Sequence, residues 1–309
     1  MGEELSGIRP PAREELPFAG DRISFLYLEG YRLERDDGAI KAVNDAGFVN
    51  IPAAGVTVLM LGPGTTVTHR AIQCASESGL SICWVGENGV RFYAGGRPLS
   101  GNSDLLLRQA HIVTHPSDRL DAAKRMYSMW YPGENVSWCT LKQLLGKEGQ
   151  HVADRYAELA EQYGIEWSGR SYDPKDYAGN DQIQNALSCA NTCMYGLCWA
   201  IIYAMGRSPG LGIVHSGMDR SFVLDIADLY KEKIAFPVAF EETARAEDDI
   251  ETRIRQRMRR MFQDNKLASI IWQDIEFVLD QKNDSSYLDG RNLIWTNYIS
   301  RVSGGTNFK

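Results

Sequence analysis

The feature that most limits what this chain can fold into is a change of hydrophobic period near residue 95. Before it the apolar residues come in short runs of strand length: Ile23 to Leu28, Ala39 to Val43, Gly47 to Ile51, Val56 to Leu61, Ser81 to Val85 and Val90 to Tyr93. Asp36-Asp37-Gly38, Asn44-Asp45-Ala46-Gly47 and Asn88-Gly89 are the turn signals between them. One helix interrupts the strands, over Thr66 to Ser78, with Thr66 or Thr68 able to cap it. After Gly95-Gly96-Arg97-Pro98 the strand-like runs stop and apolar residues recur at helical spacing. Helices are predicted over roughly 103–114, 118–130, 137–163, 181–206, 220–231, 234–244, 247–263 and 266–280. Strands followed by helices predict an α+β chain rather than a βαβ sheet. The expected parts are a β-rich N-terminal domain (1–97), a larger all-α C-terminal domain (98–280) and a polar, Asn/Ser/Gly-rich tail (281–309).

The 309 residues suffice for two domains, each with its own core. With 44% hydrophobic and 24% charged residues the chain is globular rather than disordered. Its 33 Lys+Arg against 40 Asp+Glu give a net charge of −7, which excludes coating nucleic acid by bulk charge but leaves room for a local basic groove. No basic segment followed by an apolar one marks a leader. The first six residues match the myristoylation pattern, but Glu3 and Glu4 would repel anionic lipid. The apolar run Cys193 to Gly206 is shorter than the ~20 residues of a membrane span and contains two glycines, so it predicts a buried central helix. The six cysteines form no CxxC pair, which argues against a zinc knuckle or a thiol redox site and for a reducing cytoplasm.

Several motifs invite a chemical reading. Gly62-Pro63-Gly64-Thr65-Thr66 lacks the lysine of a phosphate-binding loop and reads as a turn before a capped helix. His111 and His115 are one helical turn apart, but Ile112 stands where a zinc protease motif needs Glu. Arg253, Arg257 and Arg260 share one helix face, with Arg255 and Arg259 close by. They form either a solvated amphipathic face or a phosphate-contacting stripe. Asp225 and Asp228 share a face of an apolar helix, with His215 in a glycine-flanked loop just upstream. Carboxylates there are costly unless paired, hydrogen-bonded or metal-bound. Oxygen ligands with one imidazole suit Mg²⁺ or Mn²⁺; caps and ion pairs are the alternative. Glu148, between Gly146 and Gly149, is a third acidic candidate, with an exposed helix end as the alternative.

Taken together, these residues resemble a known family. The elements that carry the likeness are Leu61-Gly62-Pro63-Gly64-Thr65, Trp84-Val85-Gly86-Glu87, Gly89-Val90-Arg91, Lys147-Glu148-Gly149, Gly169 to Asp176, and His215 to Lys231, spread over about 21–280. The chain resembles the large core subunit of CRISPR adaptation, the metal-dependent spacer-acquisition integrase and endonuclease, in the branch that accompanies Cascade-type (type I-E) interference. The resemblance implies a helical catalytic domain whose Mg²⁺ or Mn²⁺ is held by Glu148, His215 and Asp228, with Asp225 beside them as a further catalytic residue. It implies DNA contacts from Arg91, Tyr172, Tyr195 and Lys231, and Arg255 joins Arg253, Arg257 and Arg260 in a phosphate-contacting role. Thr66 and Gln73 stand where relatives can carry arginine, Met218 where one can place lysine, and Tyr31 is the candidate for a stacking aromatic. The implied reaction is attack of a fragment's 3′-hydroxyl on a repeat phosphodiester. The implied partners are a double-stranded fragment, leader-repeat DNA, a second copy of the chain, and a dimer of the small adaptation subunit bridging two homodimers. A structure-specific nuclease acting on branched DNA is the alternative.

Overall fold

In the computed structural model, residues 23–87, 91–97, 103–173, 179–245 and 248–279 are described. The expectations for the first six residues, the Asn88-Gly89 turn and the 281–309 tail fall outside them. The N-terminal part contains β1 (Ile23–Leu28), β2 (Arg32–Asp36), β3 (Ala39–Asn44), β4 (Gly47–Pro52), β5 (Val56–Leu61), β6 (Thr66–Val67), α1 (His69–Glu77), β7 (Ser81–Val85) and β8 (Phe92–Gly96). They make two four-stranded sheets, in the orders β1-β5-β7-β8 and β4-β3-β2-β6.

The α+β order of strands followed by helices holds, but the β part itself contains a βαβ unit, which the sequence reading did not expect. β1, β5 and β7 run parallel, and α1 is the crossover from β5 to β7. The reason is legible in β5: Val-Thr-Val-Leu-Met-Leu is buried at all six positions, the unbroken pattern of a parallel strand covered on both faces. One face meets the second sheet and α1 through Leu59, Leu61, Ala71 and Cys74. The other meets the helical part through Val58, Met60, Cys83 and Val85 against Ala200 and Tyr203. β2 is the strand the apolar runs did not show, because in Arg-Leu-Glu-Arg-Asp Leu33 is the one buried residue. The predicted 66–78 helix begins at His69, with the Thr68 hydroxyl accepting from the Ala71 N–H at 3.3 Å, while Thr66 belongs to β6.

From residue 104 the described residues are helical: α2 (Asp104–Thr114), α3 (Pro116–Trp130), α4 (Leu141–Tyr163), α5 (Gln182–Ala204), α6 (Ser221–Tyr230), α7 (Phe236–Ala244), α8 (Ile250–Asp264) and α9 (Leu267–Leu279). α5 is the central post. By length and composition it could cross a membrane, but 67% of its apolar window is buried within the protein, as its expected core position requires. α4 begins in a capping box between Thr140 and Gln143 and ends on Gly164 in the left-handed conformation. α6 passes into α7 through a π-helical turn, Lys231–Ala235, whose extra residue re-aims the side chains that follow Asp228.

Candidate active site

Asp225 lies on α6 among Phe222, Val223, Ile226 and Ala227, all fully buried, and its own side chain is inaccessible. A carboxylate there must be saturated with donors. Its Oδ2 accepts from the Ile213 and Val214 N–H groups, and its Oδ1 accepts from the His215 N–H and from His215 Nδ1, both at 2.8 Å. Asp225 thus folds the 213–215 backbone around itself and fixes the His215 ring.

The loop is braced from outside as well. Arg119 Nε on α3 donates to the Ile213 carbonyl at 2.6 Å. The fully buried Gln109 amide on α2 donates to the Ser208 and Leu211 carbonyls at 3.0 and 2.9 Å. Gly212 is required by space: a Cβ there would stand 2.3 Å from the His215 carbonyl oxygen and 2.7 Å from Ser221 Cβ. The hydrogen bond that the His215 ring donates to Asp225 raises the His215 pKa, against the opposing effect of burial. With Nδ1 held by a carboxylate, Nε2 is the nitrogen left to face a ligand, the arrangement typical of metal-binding imidazoles.

Asp228, one turn along α6, is almost buried and carries Lys231 Nζ 2.5 Å from its Oδ1. His215 Nδ1 lies 3.9 Å from its Oδ2. The Lys231 ammonium also sits 4.5 Å from the centre of the Tyr195 ring. Burial works against that charge, but Asp228 and Tyr195 outweigh it and hold Lys231 protonated beyond the usual lysine range.

Glu148 enters from α4, where its Oε2 accepts the Tyr127 hydroxyl of α3 at 2.8 Å. Burial raises its carboxyl pKa, and the Asp228 charge raises it further, while Tyr127, His215 and Lys231 act in the opposite sense. Glu148, His215 and Asp228, distant in sequence, therefore share one electrostatic neighbourhood. Among the described residues, no three His, Cys, Asp or Glu side chains are drawn together tightly enough to hold a metal as they stand. Donor chemistry nonetheless suits a hard divalent cation: two carboxylates that repel each other, an oriented imidazole, and a lysine already serving as counter-ion to one of the carboxylates.

Of the residues expected to touch DNA, Tyr195 and Lys231 adjoin the acidic cluster. Arg170, which sequence reasoning did not single out, places its guanidinium 5.2 Å from the Tyr172 ring and donates to Ser188 Oγ at 2.7 Å. Burial lowers its pKa. Arg91 and Arg260 are exposed. The rest of the arginine face is matched within the fold. Arg253 Nε reaches the buried Glu242 at 3.1 Å, Arg257 Nη2 reaches Glu241 at 2.6 Å, and Arg255 pairs with Glu251. His111 and His115 stack at 3.7 Å, with His111 Nε2 3.1 Å from Asp118. Tyr127, Arg119 and Gln109 were missed: Tyr127 reads as one more core aromatic, and the amide within the apolar α2 was the available signal for Gln109.

A β unit with a parallel core therefore packs on a helical body that brings two acids, a histidine and a lysine into one electrostatic neighbourhood. The sequence matches the family described as CRISPR associated protein Cas1 over residues 25–129 and 134–268, and the chain belongs to that family. It is 42% identical over 295 residues to the CRISPR-associated endonuclease Cas1 of Clostridium sp. (strain SY8519), covering 95% of this chain and 98% of that protein. It is 38% identical over 260 residues to the CRISPR-associated endonuclease Cas1 of Escherichia coli (strain K12), covering 84% and 85% respectively. Among solved structures, the TtCas1–DNA complex superposes with a TM-score of 0.78 at 36% identity, covering 85% of this chain and 98% of that one.

Proposed function

We propose that this chain is the integrase of CRISPR adaptation, a divalent-metal-dependent enzyme that joins a captured DNA fragment to the repeat boundary, of the type that accompanies Cascade. The observation that carries the reading is the convergence of Glu148, His215 and Asp228, from α4, a braced loop and α6, around one charge environment. Glu148, Asp228 and His215 Nε2 would hold Mg²⁺ or Mn²⁺. When bound, the ion neutralises charge on the attacked phosphate and stabilises the departing 3′-oxygen.

The protein's own residues do the rest. Asp225 keeps the His215 ring in one orientation and serves as a positioning group, because its oxygens are already taken by four donors. Lys231, which pairs with Asp228 and lies over the Tyr195 ring, would be placed with Tyr195 to meet a phosphate oxygen. Tyr172 and Arg170 extend that polar surface. With a 3′-hydroxyl as nucleophile the outcome is strand transfer; with water it is cleavage.

Two transfers, one at each repeat end, call for two active sites, and so for a homodimer bridged to a second by the small adaptation subunit. DNA binding is supported by the likeness to the solved TtCas1–DNA complex. The test is strand transfer into supercoiled repeat DNA by the assembled complex, with Mn²⁺ or with EDTA. Loss of product in EDTA and in Glu148→Ala, His215→Ala and Asp228→Ala is expected. Transfer without metal, or in the Glu148→Ala complex, would overturn the reading. Cleavage of branched DNA that needs no small subunit would favour the repair nuclease instead.

A further inference from the structure

Trp138 is the most exposed large apolar side chain among the described residues, at 65% of its full accessibility. Tryptophan normally buries most of its surface, so a ring two-thirds exposed needs an occupant or a reason. A loose loop would supply a bland reason, but this loop is not loose. It runs from Tyr131 to Thr140, joining α3 to α4, and is held at several points along its length. Val136 and Cys139 are buried anchors on either side of the ring, and the Cys139 N–H closes a turn on the Val136 carbonyl at 3.0 Å. The Asn135 side-chain oxygen accepts from the Ser137 N–H at 3.1 Å and from its hydroxyl at 2.6 Å. Thr140 is locked in the capping box of α4.

The loop is also tied directly to the catalytic helix. Glu134 pairs with Lys147 at 2.6 Å and with His151 at 3.1 Å, and the His151 ring stacks on Tyr131 at 3.9 Å. Lys147 is the immediate neighbour of Glu148. Trp138 stands two residues before the Thr140 N-cap of α4, the helix that carries Glu148 about 12 Å further along its axis from that cap. α4 exposes Lys142 and Leu145 before Glu148 and Gly149 just after it, a cation and low-relief apolar surface on one side of the helix. An exposed aromatic on an ordered loop, with an exposed cation on the helix that carries Glu148, supplies the components of a single-strand platform, where a base stacks on the ring while its backbone runs on.

We propose that Trp138 stacks on an unpaired base of the DNA strand whose phosphate or 3′-end occupies the Glu148–His215–Asp228 site. The ring thereby sets how single-stranded DNA is fed to that site. This rests on the DNA-processing reading above, but its test reads binding alone. Full-length protein in Ca²⁺ is titrated against a blunt duplex and against the same duplex bearing a 3′ oligo-dT tail. The tail is tested intact and with an abasic residue moved along it.

Trp138→Ala is expected to weaken the tailed duplex about tenfold and the blunt duplex by less than about twofold, with Trp138→Phe retaining most of the affinity. One abasic position should cost the wild type a similar factor and cost Trp138→Ala nothing further, which marks the base that meets the ring. Equal loss on both duplexes, additive losses from the abasic site and the variant, or a Trp138→Ala change in sedimentation that reveals a protein–protein contact would each overturn the proposal. Unchanged melting of the variants confirms that the fold is intact. If Glu148→Ala kept full strand transfer, the catalytic reading would fall while the Trp138 result stood on its own.

Discussion

Lys231 places its ammonium 2.5 Å from Asp228 Oδ1, both side chains only about a tenth accessible, at the point where the π-turn leaves α6. In the absence of a divalent cation it is the charge that keeps two neighbouring carboxylates, Asp228 and Glu148, compatible with burial. Removing it strands Asp228, and unpaired buried charges of this kind cost about 3 kcal/mol. Lys231→Met is therefore expected to lower the melting temperature in EDTA by several degrees and to gain more from added Mn²⁺ than the wild type does. Equal metal-induced shifts in the two proteins, read by differential scanning fluorimetry, would contradict this.

The His215–Asp225 contact gives the metal-free protein a defined pH response. Hydrogen bonding to Asp225 raises the His215 pKa in the folded state. A raised folded value means the stabilisation is complete below the ordinary histidine pKa of ~6.5 and fades as pH rises through the raised value. In EDTA, the stability difference between wild type and His215→Gln should shrink across that window. Asp225→Asn should abolish the trend and cost stability in its own right. An amide cannot accept from all four donors, and each one left unsatisfied costs about 1–3 kcal/mol. Urea melts between acid and mildly alkaline pH would measure both effects.

Most of the fold was legible in the sequence, and the failures have physical causes. The eight α-helices after residue 100 among the described residues follow from apolar spacing: the outer ones bury one stripe, and α5 and α6, buried nearly all round, show as the most apolar stretches. β2 was lost because its hydrogen bonds, to β3 and β6, are backbone features that a polar sequence does not advertise. The parallel pairing was lost because an unbroken apolar strand was not read as a two-faced one. In the site, Asp225, Asp228 and His215 were visible as a local cluster, since charges on an apolar helix need partners. Gly212 was visible as a glycine, but its need to pass beneath the His215 carbonyl was not. Glu148 and Tyr127 meet the cluster only through the packing of α3, α4 and α6, which no spacing rule encodes.

Glu148 itself should be a net liability to the empty protein. Its carboxyl pKa is raised by burial and then by Asp228, so its ionisation opposes folding as pH climbs through that raised value. Glu148→Gln keeps the volume and a hydrogen-bonding partner for the Tyr127 hydroxyl. It is expected to melt at or above the wild-type temperature in EDTA at mildly alkaline pH, to lose the Mn²⁺-induced rise, and to be inactive in strand transfer. A variant that is less stable than wild type in EDTA yet still shifts with Mn²⁺ would mean that Glu148 is a structural acid rather than a ligand.

The arginine face of α8 separates into two functions that salt can distinguish. Arg253 and Arg257 are matched by Glu242 and Glu241 of α7, and Glu242 is buried, so these arginines hold α7 to α8. Arg260 and Arg91 are exposed and free to meet phosphate. Arg253→Ala is therefore expected to cost about 2 kcal/mol of stability, with little change in how DNA affinity depends on salt. Arg260→Ala and Arg91→Ala should melt like the wild type, and each should reduce the slope of log affinity against log salt by about 1. A net charge of −7 leaves few such contacts to lose, so each should be measurable in anisotropy titrations across a salt series. Should Arg253→Ala lower the slope as Arg260→Ala does, without destabilising the protein, the inter-helix ion pairs would not persist in solution and the whole face would have to be counted as DNA-binding.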